Sequence, residues 1–74
     1  MLIRKNIIYL RKKRMISRYK LAKDLGVNES LLRKIESGIT ENPQINTIVK
    51  VCTYFEITLD DLVNKDLERG IGEW

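Results

Sequence analysis

Between Ser17 and Gly38 the chain carries two short helical patterns around a single glycine, SRYKLAKDL before it and VNESLLRKIESG after it. Leu21, Ala22 and Leu25 recur at helical spacing behind Ser17, a good N-cap, so a narrow apolar stripe faces inward while Arg18, Lys20, Lys23 and Asp24 stay in water. Gly26 stops this helix, because glycine takes the left-handed conformation at little cost, and Val27 supplies an apolar contact under the turn. Asn28 restarts the chain as a second N-cap, and Leu32 and Ile35 bury one side of the new helix until Gly38 ends it. At about 100° per residue, Ser30, Arg33, Lys34 and Ser37 fall on the opposite side. Two helices this short cannot bury a core alone, so the rest of the chain must form around them.

The flanking patterns are helical as well. A first helix is predicted from about Leu2 to Lys13, with Ile3, Ile7 and Leu10 inward and Arg4, Lys5, Lys12 and Lys13 outside. Arg14, Met15 and Ile16 connect it to Ser17, with Ile16 placed to staple the next helix. Ile39 to Pro43 form a loop, and from about Gln44 to Tyr54 the stripe of Ile45, Ile48, Val49, Cys52 and Phe55 predicts a fourth helix. Thr58 with Asp61 opens a fifth in the manner of a capping box, and this helix carries Leu59, Leu62 and Val63. The expectation is an all-α, compact five-helix bundle over residues 1–64 with a short C-terminal tail, 65–74. In that tail Leu67, Ile71 and Trp74 either fold back, stay unordered, or make a dimer contact shared with Ile57 and Leu59.

Composition excludes several function classes. Seventy-four residues make one domain, with 43% hydrophobic and 32% charged residues, and no apolar run approaches the roughly 20 residues of a membrane span. The N-terminal MLIRKNIIYLRKKR superficially resembles a targeting segment, but charges interrupt its apolar residues and no small-residue cleavage site follows, so it reads as folded. With one cysteine and no histidine, neither an internal disulfide nor an ordinary zinc site is expected, and Cys52 reads as a small buried side chain in a reducing cytoplasm. An enzyme is not expected: no Cys pair, no His and no glycine-rich phosphate loop is present, and no cofactor is implied. Charge is uneven. Residues 1–50 carry twelve Lys and Arg against four acids, whereas 51–74 carry two against six. Such asymmetry suits one face for a polyanion and another turned away from it.

Ser17, Leu21-Ala22, Leu25-Gly26-Val27, Leu32, Ile35-Glu36 and Gly38, followed by Asn42-Pro43 and the second helical pair, resemble the Cro/C1-type (XRE-like, phage-repressor-like) helix-turn-helix family. The resemblance runs over about residues 3 to 63 and implies the lambda-repressor-like DNA-binding fold, the helix-turn-helix being helices 2 and 3. In that geometry the second helix lies in the major groove with its first turns against base edges, and the first crosses the backbone. The resemblance further implies that Arg11 pairs with Glu36 while approaching a phosphate. Where the family often has Gln, Arg18 still reaches a phosphate, but its bracing of the recognition helix is open. Asn28 caps that helix and meets a phosphate, and Ser30, Arg33 and Lys34 are the candidates for base contacts, with Ser37 on the same face. Glu29 either accepts from a cytosine or complements the positive helix terminus, and Leu31 touches a thymine methyl or packs at the flank.

The function so implied is a sequence-specific transcriptional regulator, a phage or mobile-element repressor or a bacterial regulator of that kind. It would bind double-stranded DNA as a homodimer on an inverted repeat, with half-sites about 34–36 Å apart. The competing reading is a protein-interaction module on the same fold, such as the antitoxin of a toxin–antitoxin pair, using the tail and the acidic C-terminal third to bind its partner.

Overall fold

Side-chain hydroxyls cap the starts of two of the five described helices. A computed structural model describes residues 2–72, in which α1 (Ile3–Lys13), α2 (Arg18–Leu25), α3 (Glu29–Glu36), α4 (Ile45–Phe55) and α5 (Leu59–Asn64) precede two short strands, β1 (Lys65–Asp66) and β2 (Ile71–Gly72). The Ser17 hydroxyl accepts from the Lys20 amide at 3.0 Å, and the Thr58 hydroxyl from the Asp61 amide at 3.0 Å, so each supplies a partner to an amide that lacks one in its helix. Gly26 closes α2 at φ 74°, and the Val27 amide donates to Ala22 O at 3.0 Å.

The helices enclose one core. Its fully buried members include Ile7, Leu21, Leu32, Ile35, Val51 and Leu62, with α1 packed on α3 and α5, α2 on α3 and α4, and α4 on α5. Ile16, Val27, Leu31 and Ile57 pack partly buried against it, so Leu31 lies at the flank of α3. Two members of the predicted α4 stripe do not belong to the core. Ile45 is 60% and Val49 52% exposed, because α4 turns Thr47, Ile48, Val51, Cys52 and Phe55 inward, and positions 45 and 49 lie roughly 90–130° from the centre of that arc. Cys52 is buried, and burial pushes its thiol up, as suits a packing residue. Asp24 is not simply solvated. It accepts from the Tyr54 hydroxyl at 2.7 Å and from Lys20, a contact that ties α2 to α4, and the Lys20 ammonium beside it holds its carboxyl below the usual range.

The C-terminal tail is fastened rather than loose. After α5 the chain forms a hairpin with Lys65 opposite Gly72 and Asp66 opposite Ile71. Asn6, fully buried on α1, donates from Nδ2 to Leu62 O at 2.7 Å and to Lys65 O at 2.6 Å, and its Oδ1 accepts from the Leu67 amide at 3.1 Å. Lys5 adds an ion pair to Asp66 at 2.7 Å, and the Leu2 amide donates to Val63 O. Leu67 is half-buried there; Trp74 lies outside the described residues, as does the side chain of Ile71. Among the described residues no helix is long and apolar enough to cross a membrane, and no group of three His, Cys, Asp or Glu could hold a metal ion.

Substituting Asn6 by Ala strands the polar groups it serves, and is expected to lower stability by about 2–3 kcal/mol in urea unfolding and to speed exchange of the Leu67 amide. The hydrogen bond from Lys5 holds the Asp66 carboxyl below its ordinary value of 3.8. Because the folded value is the lower one, this contact stabilises above the unfolded value and is lost as pH falls through the folded value. Carboxyl NMR titration should place the Asp66 midpoint below 3.8, and Lys5→Met should return it toward 3.8.

Candidate nucleic-acid interface

α3 divides its side chains cleanly between core and solvent. Leu32 and Ile35 are buried, whereas Ser30, Arg33, Lys34 and Ser37 are exposed together on the far side, as the spacing predicts. Asn28 is exposed at the start of the helix. Its backbone has the extended geometry of an N-cap, but its side chain makes no capping bond, contrary to expectation. The Leu31 amide that it would serve donates instead to the Asn28 carbonyl at 3.1 Å. The carboxamide is therefore free to meet another group. Glu29, in the first turn, sits 3.8 Å from Arg33 one turn on, so it complements both the helix terminus and that guanidinium. The Ser37 hydroxyl donates to Lys34 O at 3.3 Å.

What sets the angle of α3 is Glu36, whose side chain is only 3% exposed. Its two oxygens accept from Arg11 Nε and Nη2, both at 3.0 Å, a bidentate pair. Arg11 Nη1 donates to Ile16 O at 3.2 Å, so each nitrogen of that guanidinium has a protein partner. Arg18 Nε also donates to Glu36, at 3.2 Å. The question that the sequence leaves open over Arg18 is thereby answered for the fold: it braces α3, because its side chain reaches the same carboxylate. Its terminal nitrogens donate to no group among the described residues, and the side chain is about one-third exposed. One carboxylate against two guanidiniums leaves a surplus positive charge where α1, α2 and α3 meet.

These contacts put Arg11 and Arg18 at the C-terminal end of α3 and Asn28, Glu29 and Ser30 at its start, with Arg33 and Lys34 between. A helix-turn-helix family model matches residues 7–62. The chain belongs to that family, of the Cro/C1 type. As a member of this helix-turn-helix family it is a DNA-binding transcription regulator in the broad sense. Among solved structures it is similar to "The N-terminal DNA binding domain of SinR from Bacillus subtilis", at 29% identity and TM-score 0.82 over 88% of this chain and 94% of that one. It is also similar to a SinR protein/SinI protein complex, at 30% identity and TM-score 0.80, over 97% and 70% of the two chains. No curated protein matches it.

The sequence also held a signal for Asn6, which sits on the inward stripe between Ile3 and Ile7, where a polar residue must find partners. Tyr54 and Arg14 carried no such signal. Their contacts, the Tyr54 hydroxyl on Asp24 and the Arg14 guanidinium 4.8 Å from the Phe55 ring centre, join residues far apart in the chain. Replacing Glu36 by Ala leaves two guanidiniums facing each other around a vacated buried carboxylate site. Stability should fall by about 3 kcal/mol or more in denaturant titration.

Proposed function

We propose that this regulator is a repressor that reads an inverted-repeat operator as a homodimer in the cytoplasm. The observation that carries the reading is the exposed face of α3, where Ser30, Arg33 and Lys34 stand clear of the core on a helix held at its end by Glu36. Arg33 and Lys34 supply donors that suit guanine O6 and N7, and Ser30 a hydroxyl that suits several bases. Asn28 and Arg18, whose carboxamide and terminal nitrogens have no partner among the described residues, take phosphates, while Arg11, each of whose guanidinium nitrogens has a protein partner, acts through position. Glu29 orients Arg33. Ser37 closes the face.

Residues 1–64 carry the DNA-reading unit in this proposal, and the fastened hairpin carries the dimer contact together with Ile57 and Leu59, the latter 46% exposed. Two copies related by a two-fold axis set their recognition helices about 34–36 Å apart, in successive major grooves. The similarity to a domain described as DNA binding supports the first part of this reading. The similarity to a chain held in a complex with a second protein supports a protein partner as well.

Selection of the chain against a random duplex library at about 0.15 M ionic strength tests the whole reading. An enriched inverted repeat is expected, and recovery of DNA without a shared sequence would remove specific reading. On the selected site, Lys34→Ala should cost about 1–3 kcal/mol and relax the preference at one base pair. An equal loss on all sequences would make Lys34 a phosphate contact only.

A further inference from the structure

Arg4 lies on the same stripe of α1 as Arg11, seven residues and about two turns earlier. Its guanidinium sits against Gly38, just past the end of α3, where an added Cβ would stand 2.6 Å from Nη1 and 3.6 Å from Cζ. Gly38 has φ +87°, so the backbone favours glycine there, and the flexible tip of Arg4 occupies the space a Cβ would take. Arg4 is exposed and makes no ion pair or hydrogen bond among the described residues, unlike Lys5, Arg11 and Arg18 on the same part of the molecule.

The guanidinium borders a cleft of about 320 Å³ in which Thr40, Glu41 and Asn42 face an apolar floor of Ile3 and Ile35. The side chains of Thr40 and Asn42 make no hydrogen bonds among the described residues, so a planar cationic fork and two neutral polar groups line one opening. Two features oppose an anion here, the carbonyl end of α3 and the Glu41 carboxylate. The first is blunted. The Gly38 amide donates to Ile35 O at 3.2 Å and the Thr40 amide to Lys34 O at 3.1 Å, and Arg4 stands over the same helix end. Glu41 remains as a tuning charge.

We propose that Arg4, with Thr40 and Asn42, holds a backbone phosphate of duplex DNA at the C-terminal end of the recognition helix. The proposal rests on the DNA-binding reading above, because it needs α3 in the major groove. An eight-residue helix is about 12 Å long, so with its first turns against the base edges its C-terminal end stands toward the rim of the groove, where the phosphates lie. Arg4 then makes a sequence-independent contact, and the missing side chain at Gly38 leaves room for it at the helix end.

The test is binding to a labelled duplex of mixed sequence, followed by anisotropy from about 50 to 200 mM salt. Each phosphate contact contributes about 0.9 to the logarithmic salt slope, so the advantage of wild type over Arg4→Gln should shrink about 3- to 4-fold across this range. Arg4→Lys should keep the wild-type slope, and Glu41→Gln should bind more tightly than wild type. Equal slopes for wild type and Arg4→Gln overturn the assignment. Should Arg4→Gln not fold, Glu41→Gln decides: binding no tighter than wild type overturns it. A wild-type chain that binds no duplex overturns the DNA-binding reading and this assignment together.

Discussion

The Glu36 carboxylate is the contact on which the placement of α3 depends. It is the last residue of α3, it is buried, and it accepts hydrogen bonds from Arg11 on α1 and Arg18 on α2. A charge in that position is stable only while its partners stay, since a buried ion left alone faces a large desolvation cost. The pairing is directional: a bidentate guanidinium constrains angle as well as distance. Three helices are thereby held to one orientation by groups that apolar packing alone would leave free to slide. The surplus charge of the cluster is presented by Arg18, the partner whose outer nitrogens are uncommitted.

Seen from α1, the same arrangement continues along the helix. Beside its apolar residues it carries exposed Arg4, buried Asn6 and part-buried Arg11, and each meets a different part of the chain. Arg4 stands against Gly38, Asn6 satisfies the carbonyls and amide of the α5–hairpin junction, and Arg11 holds α3 through Glu36. Ile3 and Ile7 bury themselves between these contacts. The first helix is therefore the spine that relates the helix-turn-helix to the C-terminal hairpin, although the helix-turn-helix carries the proposed chemistry. Charge follows the same division. Arg11 and Arg18 meet at Glu36 where α1, α2 and α3 join, while Asp66 and Asp61 of the last third pair with Lys5 and Lys65.

Much of this was legible in the residues. Ser17 and Thr58 announce helix starts because a hydroxyl can serve an otherwise unpaired amide, and Gly26 announces a stop because its left-handed conformation suits little else. The inward and outward faces of α3 follow from its period alone. Legibility failed where two local solutions compete. Asn28 holds a capping position without a capping bond, because the backbone carbonyl took the amide its side chain would have served. In α4, Ile45 and Val49 are as apolar as their buried neighbours, and nothing local tells which arc of an apolar helix will find a partner.

The sequence by itself determined the number of helices, their limits to within a residue or so, the two-helix unit around Gly26, and the identity of the exposed residues on α3. Those features depend on capping, turn conformation and a 3.6-residue period, all of which act within a few residues. Tertiary structure alone decided that Arg18 shares Glu36, that Asn6 fastens a hairpin some sixty residues away, that Tyr54 meets Asp24, and that Arg4 lies over Gly38. The first three are hydrogen bonds across the fold, and the fourth is a packing contact. Their partners are set by where packing brings the chain, because hydrogen bonds and ion pairs act over a few ångströms and carry no signature in the spacing of the residues that make them.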